Sequence, residues 1–219
     1  MTTRKVPVIE RIMGANDTQA ADNRRAFDSH GIHVINVMAS PGAGKTSLIL
    51  ETVKRLKDEI RIAAIEGDLA STVDTDKVKA SGVPAVQINT GGGCHLDANQ
   101  VAGSLSDLPM NDLDLVFIEN VGNLVCPAGF ALGEHTRLVI SSVPEGDDKP
   151  YKYPKMFANV DALVINKIDL IPYLPFDIEA YTDLVRGINP EIEVFALSCV
   201  SGEGMDAWTT WLRGLVREK

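Results

Sequence analysis

The chain of 219 residues carries 30 acidic against 21 basic side chains, a net charge of −9, and three cysteines. An acidic balance argues against broad nucleic-acid or membrane-surface binding, which uses basic patches, and an odd, sparse set of cysteines is no disulfide framework. No apolar run approaches the ~18–20 residues that span a bilayer, and no signal-peptide core follows Met1-Thr2-Thr3-Arg4-Lys5, so a soluble, cytoplasmic protein is expected.

Residues 8–29 are polar, with Ile9, Ile12, Met13, Ala20 and Phe27 as scattered apolar points. They read as one or two surface helices broken near Gly14, packed at a sheet edge, with Arg24 and Arg25 solvated. Residues 1–30 are therefore taken as an N-terminal helical segment and 31–219 as the main domain. Residues 35–50 organise the rest. An apolar strand leads into Ala39-Ser40-Pro41-Gly42-Ala43-Gly44-Lys45-Thr46, and an apolar-periodic helix follows, over 45–57. This is the setting of a phosphate loop. Gly42, Ala43 and Gly44 let successive N–H groups face an anion at a helix N-terminus, continued by Ser47. Lys45 supplies charge to the phosphates, and the Thr46 hydroxyl can hold Mg²⁺. Alanine replaces the first glycine of the pattern at Ala39, which costs little at negative φ. The motif says nucleoside triphosphate and does not choose the base.

Residues 60–65 predict a strand ending in Gly67-Asp68, and a carboxylate at the carboxyl edge of a parallel sheet is a candidate Mg²⁺ contact. The polar stretch 70–79, with Thr72, Asp74, Thr75 and Asp76, reads equally as a mobile loop answering the γ-phosphate or as a helix start. After a strand at 85–88, Thr90-Gly91-Gly92-Gly93-Cys94-His95 offers adjacent thiolate and imidazole to a borderline metal, Ni²⁺ or Zn²⁺. The strand at 115–118 ends in Glu119, in the place of a Walker B carboxylate. Gly122 beyond it can offer an amide to the γ-phosphate. Cys126 is the candidate third metal ligand, against the alternative of unrelated thiols.

A strand at 138–143, a loop at 145–150 and a short helix at 151–157 lead to a strand at 162–165. Asn166-Lys167-Ile168-Asp169 follows as a guanine reader. Asp169 can accept from two base N–H groups, Asn166 braces the loop, and the Lys167 stem covers the ring. A last strand at 193–197 precedes Ser198 and Cys199, placed in the base-binding loop. A closing helix over 205–216 carries Trp208, Trp211 and Leu215 as core. The expected fold is α/β: a three-layer, mostly parallel sheet flanked by helices, of the P-loop NTPase class.

These motifs, with Glu66-Gly67-Asp68, Gly93-Cys94-His95-Leu96-Asp97-Ala98, Asn123-Leu124-Val125-Cys126-Pro127 and Glu145-Gly146-Asp147-Asp148-Lys149-Pro150, resemble the series of HypB. That family comprises the hydrogenase nickel-incorporation GTPases, of the SIMIBI type. The resemblance covers nearly all the chain after about residue 34. It implies a GTPase, converting GTP and water to GDP and phosphate, that forms a homodimer on binding GTP. Together with the metallochaperone HypA, it regulates nickel delivery to the [NiFe]-hydrogenase large-subunit precursor. The family's interface metal site maps onto Cys94, His95 and Cys126. In the implied mechanism Lys45 and the loop amides hold phosphates, Thr46, Asp68 and Glu119 hold Mg²⁺, and Glu119 and the Gly122 amide sense the γ-phosphate. Lys149 and Lys152 are placed at nucleotide or cross-dimer contacts.

The sequence also departs from the family. No cysteine precedes Cys94 and the four histidines are scattered, so the family's extra nickel-storing motifs are absent from these residues. Gly92 stands where lysine is frequent, and Cys199 adds a thiol. Three rivals stand beside this reading. The urease-type nickel-insertion GTPase is disfavoured because its motif places Pro between Cys and His. A P-loop small-molecule kinase is disfavoured by Asn166-Lys167-Ile168-Asp169. A non-enzymatic metal binder would show no hydrolysis.

Overall fold

Short apolar, β-branched runs supply the strands, because side chains buried on both faces of a parallel sheet leave no room for polar alternation. In the computed structural model, which describes residues 8–68 and 73–217 with side chains from residue 13 onward, these are β1 (His33–Ala39), β2 (Ile62–Asp68), β3 (Ala85–Asn89), β4 (Leu115–Glu119), β5 (Thr136–Ser142), β6 (Ala162–Asn166) and β7 (Glu193–Ala196). Their order is β3-β2-β4-β1-β5-β6-β7, and every pairing is parallel. The chain leaves β1 toward β2 and β3 on one side and later toward β5, β6 and β7 on the other. Such a reversal opens a crevice beyond the carboxyl ends of the central strands.

Helices cover both faces. On one, α2 (Lys45–Leu56), α3 (Val73–Ala80) and α8 (Met205–Arg217) bury Leu48, Val53, Val78, Trp208 and Leu212 against Val37, Phe117, Ile140 and Val164. Trp208 is fully buried and donates to Thr52 Oγ1 at 2.9 Å, so the expectation that it is core holds. On the other face, α1 (Val8–Ser29) and α4 (Ala98–Ser104) cover β1, β2 and β4 through Phe27 and Val101. Beside them α5 (Lys149–Lys152), α6 (Pro154–Ala158) and α7 (Ile178–Ile188) surround β5 and β6, where Phe157, Tyr181 and Val185 meet Leu163 and Ile165. The three-layer arrangement follows the sequence expectation. Among the described residues no helix is long and apolar enough to cross a membrane.

Three expectations are corrected. The first helix is not broken near Gly14 but runs unbroken through it, a single interior glycine costing only about 1 kcal/mol. It lies over central strands rather than at the sheet edge, because Phe27 is buried against Val34, Ile65 and Val116, a burial worth roughly 1.5–3 kcal/mol. Arg24 is not simply solvated: its guanidinium donates to the Glu134 carbonyl and pairs with Asp28 at 3.4 Å. Arg25 remains exposed, paired with Asp22. Helix α7 was not anticipated, although Asp177 caps it by accepting from the Ala180 N–H, and Ile178, Tyr181, Val185 and Ile188 have helical spacing. Of the polar stretch at 70–79, residues 70–72 lie outside the described residues, and the remainder from Val73 is helix.

Candidate nucleotide and metal site

The phosphate loop turns on two glycines, Gly42 at φ +79° and Gly44 at φ +107°. Only glycine fits at 44, where a Cβ would sit 2.3 Å from Asn166 Nδ2. Ala39 ends β1 outside the left-handed region, so its replacement of glycine is unstrained. Asn166 locks this loop to the β6 end. Its Nδ2 donates to the Ala43 carbonyl at 3.0 Å, and its Oδ1 accepts from the N–H groups of Lys167 at 2.8 Å and Cys199 at 3.4 Å. Lys167, the only non-glycine at positive φ among the described residues, donates from Nζ to the Gly42 carbonyl at 2.7 Å. Ser198 Oγ accepts from Val200 and Ser201, folding the last loop. Asp169 Oδ1 is buried with no protein partner, the state of a carboxylate shaped to accept from something else. Burial pushes the Cys199 thiol up to about 11, an unreactive setting. Ser47 is exposed in the first turn of α2.

At the carboxyl ends of β2 and β4 lies a carboxyl pair. Glu66 and Glu119 occupy the same register on neighbouring parallel strands, and both are buried. Glu119 Oε1 accepts from Thr46 Oγ1 at 3.0 Å and lies 3.9 Å from Lys45 Nζ. Burial pushes the Glu66 carboxyl up to about 10, helped by the charge of Glu119 beside it and a hydrogen bond to it. Glu119 is also raised by burial, against the pull of Lys45 and bonds from Glu66 and Thr46. Burial thus disfavours ionisation of both carboxyls, and Lys45 offsets part of that cost at Glu119. Asp68 closes β2, half-buried. Gly122 packs so closely on the phosphate loop that a Cβ would lie 3.0–3.1 Å from Pro41. Thr46, Asp68 and Glu119 present hard oxygen donors, and apart from the contact between the two carboxyls Glu119 Oε2 and Glu66 Oε1 are buried without protein partners, so this donor set fits Mg²⁺.

The second cluster hangs from two loops. Gly91 and Gly92, at φ +59° and +96°, reverse the chain after β3, and Thr90 closes the turn on Gly93. Cys94, His95 and Cys126 then place one ligand atom each within 4.8 Å of one another. Cys94 Sγ lies 3.5 Å from His95 Nδ1, and the His95 ring packs on Phe130 at 4.0 Å between centroids. Hydrogen bonding to Cys126 raises the Cys94 thiol, and burial lowers His95, which keeps the imidazole neutral and ready to ligate. Two sulfurs and one nitrogen suit a borderline ion such as Ni²⁺ or Zn²⁺. Lys149 opens α5, and Lys152 in the same helix pairs with Asp148 and lines a cavity with Leu124 and Val125, just before Cys126.

Sequence reasoning assigned no role to Glu66 or to the buried amides of Asn16, Asn23, Asn36 and Asn120, which brace these loops. Glu66 had a local signal, a carboxylate inside an otherwise apolar strand. The asparagines had none, since their partners are distant in sequence.

Residues 33–196 match the family described as CobW/HypB/UreG, nucleotide-binding domain. Hydrogenase maturation factor HypB of Escherichia coli (strain K12) is 48% identical over 213 residues, 97% of this chain and 73% of that protein. The crystal structure of HypB from Helicobacter pylori in complex with nickel superposes with a TM-score of 0.88 at 37% identity, covering 93% of this chain and 96% of that one. HypB from Archaeoglobus fulgidus superposes with a TM-score of 0.87 at 39% identity, covering 93% and 100%.

Proposed function

From the premise that this chain belongs to the CobW/HypB/UreG family, among its HypB hydrogenase maturation factors, we propose that it is a GTPase whose nucleotide state governs a nickel site during [NiFe]-hydrogenase maturation. The observation that carries this reading is the meeting, in one chain, of a Cys94/His95/Cys126 cluster with strand ends that carry a phosphate loop and a guanine reader. In this reading residues 31–219 form the GTPase domain and residues 1–30 an accessory helical segment. Nickel is cargo rather than resident cofactor, and Zn²⁺ is the competing ion.

The loop amides and Lys45 bind the phosphates. The Asp169 carboxylate, unpartnered at Oδ1, accepts from the guanine N–H groups, and the Ser198–Cys199 loop closes on the base. Thr46, Asp68 and Glu119 would hold Mg²⁺, which would supply charge neutralisation at the phosphates. Lys45 stabilises charge developing toward the leaving phosphate, and the Gly122 amide contacts the γ-phosphate, so catalysis is positioning and electrostatics without a covalent intermediate. Loss of that contact on hydrolysis releases residues 120–123, which run into the segment bearing Cys126. GTP binding brings two protomers together through the Cys/His loops, so that up to six ligands become available to one or two ions. HypA and the hydrogenase large-subunit precursor are the partners that supply and receive nickel, in the cytoplasm.

Phosphate release from GTP and ATP, with stoichiometric Ni²⁺ titration of the same preparation, tests the proposal. GTP-selective release with metal bound through thiolate supports it. Transfer to a small-molecule acceptor, or metal binding with no GTP hydrolysis, contradicts it.

A further inference from the structure

Between the two sites lies a buried amide that neither uses as a ligand. Asn120, 1% exposed, directly follows Glu119 and precedes Gly122 by two residues. Its Oδ1 accepts from the Leu96 N–H at 3.0 Å and from the Val121 N–H at 3.0 Å. One oxygen thus ties the peptide immediately after His95 to the peptide that leads to Gly122. The amide cannot turn freely, because Nδ2 donates to Asn36 Oδ1 at 3.3 Å and Asn36 donates in turn to Glu134 Oε1. Glu134 is itself held by Arg137 Nε at 2.7 Å and by the Leu132 N–H at 2.6 Å.

The other side of the metal loop is fastened to a different support. Asn16 Oδ1 accepts from the Ala98 N–H, and its Nδ2 donates to the Ala131 carbonyl. Asn23 Nδ2 donates to the carbonyls of Ala98 and Leu132. Helix α1 therefore clamps the start of α4 and the loop after Cys126 to one frame, independent of the nucleotide. The backbone of α1 approaches that loop so closely that a Cβ at Gly133 would meet the Ala20 carbonyl at 2.9 Å. Between this frame and the phosphate loop lies the segment that carries Cys94 and His95. Asn120 grips it at Leu96, and Asn123, in the same loop, donates to the Cys94 carbonyl at 3.2 Å.

We propose that Asn120 is the positioning residue that transmits the state of the Gly122 loop to Cys94 and His95, while Asn16 and Asn23 of α1 hold the metal loops whatever the nucleotide. This rests on the reading of a GTP-gated nickel site. A displacement of residues 120–122 carries the Leu96 peptide with it through the shared oxygen, and the clamped frame turns that displacement into a change of ligand geometry. Coupling between two sites is reciprocal and of the order of 5–150-fold when it is functional. A contact whose geometry differs between two states is the physical form such coupling takes.

The test is the ratio of Ni²⁺ affinities in the presence of GDP and of a non-hydrolysable GTP analogue, measured for the full chain and two variants. The unmodified chain should show a ratio of about fivefold or more. Asn120→Ala should bring the ratio within about twofold of one. Asn23→Ala should weaken nickel binding under both nucleotides by a common factor and keep the ratio. A wild-type ratio in Asn120→Ala overturns the inference, whatever happens to the absolute affinity. If thermal melting shows that Asn120→Ala does not fold cooperatively, Asn36→Ala, which frees the Asn120 amide to turn, should lower the ratio, and an unchanged ratio there overturns it equally. Absence of any ratio in the unmodified chain instead removes the gated-site reading, and the inference with it.

Discussion

The nucleotide cradle and the metal cluster are built in opposite ways. The cradle sits on the ends of buried central strands, and its residues come in short contiguous runs whose backbone angles only glycine or a strained Lys167 supplies. The metal ligands come from two separate loops, with Cys94 exposed and His95 and Cys126 half-buried, and their placement depends on asparagines elsewhere in the fold. A site on strand ends inherits rigidity from the sheet. A site on loops must be braced, and the brace is where another ligand's state can enter.

The contrast predicts that damage to the cradle is severe and local. Lys45→Ala removes the cation facing Glu119 and the phosphates and should lower single-turnover GTP hydrolysis by about 100-fold or more, with Ni²⁺ affinity measured with GDP close to that of the parent chain. An equal loss of both would mean the two sites are not separately built. Cys94→Ala should cost at least about 100-fold in Ni²⁺ affinity, beyond the roughly 10–100-fold that outer partners of a ligand contribute. GTP affinity of the monomer, followed with a fluorescent analogue, should hardly change. Asp169→Ala should weaken discrimination of GTP over ATP by about 10–100-fold, on the scale of 1–3 kcal/mol for a paired base contact, with no change in metal binding.

The smallest effect concerns the buried carboxyls. Because the Glu66 carboxyl is raised from 4.5 to about 10 in the fold, the folded apoprotein holds a proton that the unfolded chain releases. The associated stability is full below the ordinary carboxylate range and is lost as pH rises toward the folded value. Glu66→Gln cannot release that proton, so denaturation midpoints between pH 5 and 9 should fall less steeply than in the parent. Parallel slopes would show that Glu66 carries no such proton.

Legibility in the sequence followed the same division. The phosphate loop and Asn166-Lys167-Ile168-Asp169 were readable because their chemistry is confined to consecutive residues at strand ends. Cys94, His95 and Cys126 were readable as ligand types, but their convergence within 4.8 Å is a product of topology. Glu66 passed without a role because its partner Glu119 is reached only through strand register. Asn16 and Asn23 looked like the polar face of a solvated helix, since their acceptors lie on loops that the fold brings back from distant sequence. Helix α7 was the one element whose local signals, Asp177 and the apolar spacing after it, were sufficient and went unread.

The central claim, that nucleotide and metal act through one switch, is tested most directly by sedimentation velocity with GDP or a non-hydrolysable GTP analogue, each with and without one equivalent of Ni²⁺. The account predicts a dimer with the GTP analogue, tightened by nickel, and a monomer with GDP alone. A monomer under all four conditions would contradict it and leave a GTPase whose Cys94-His95 loop serves another purpose.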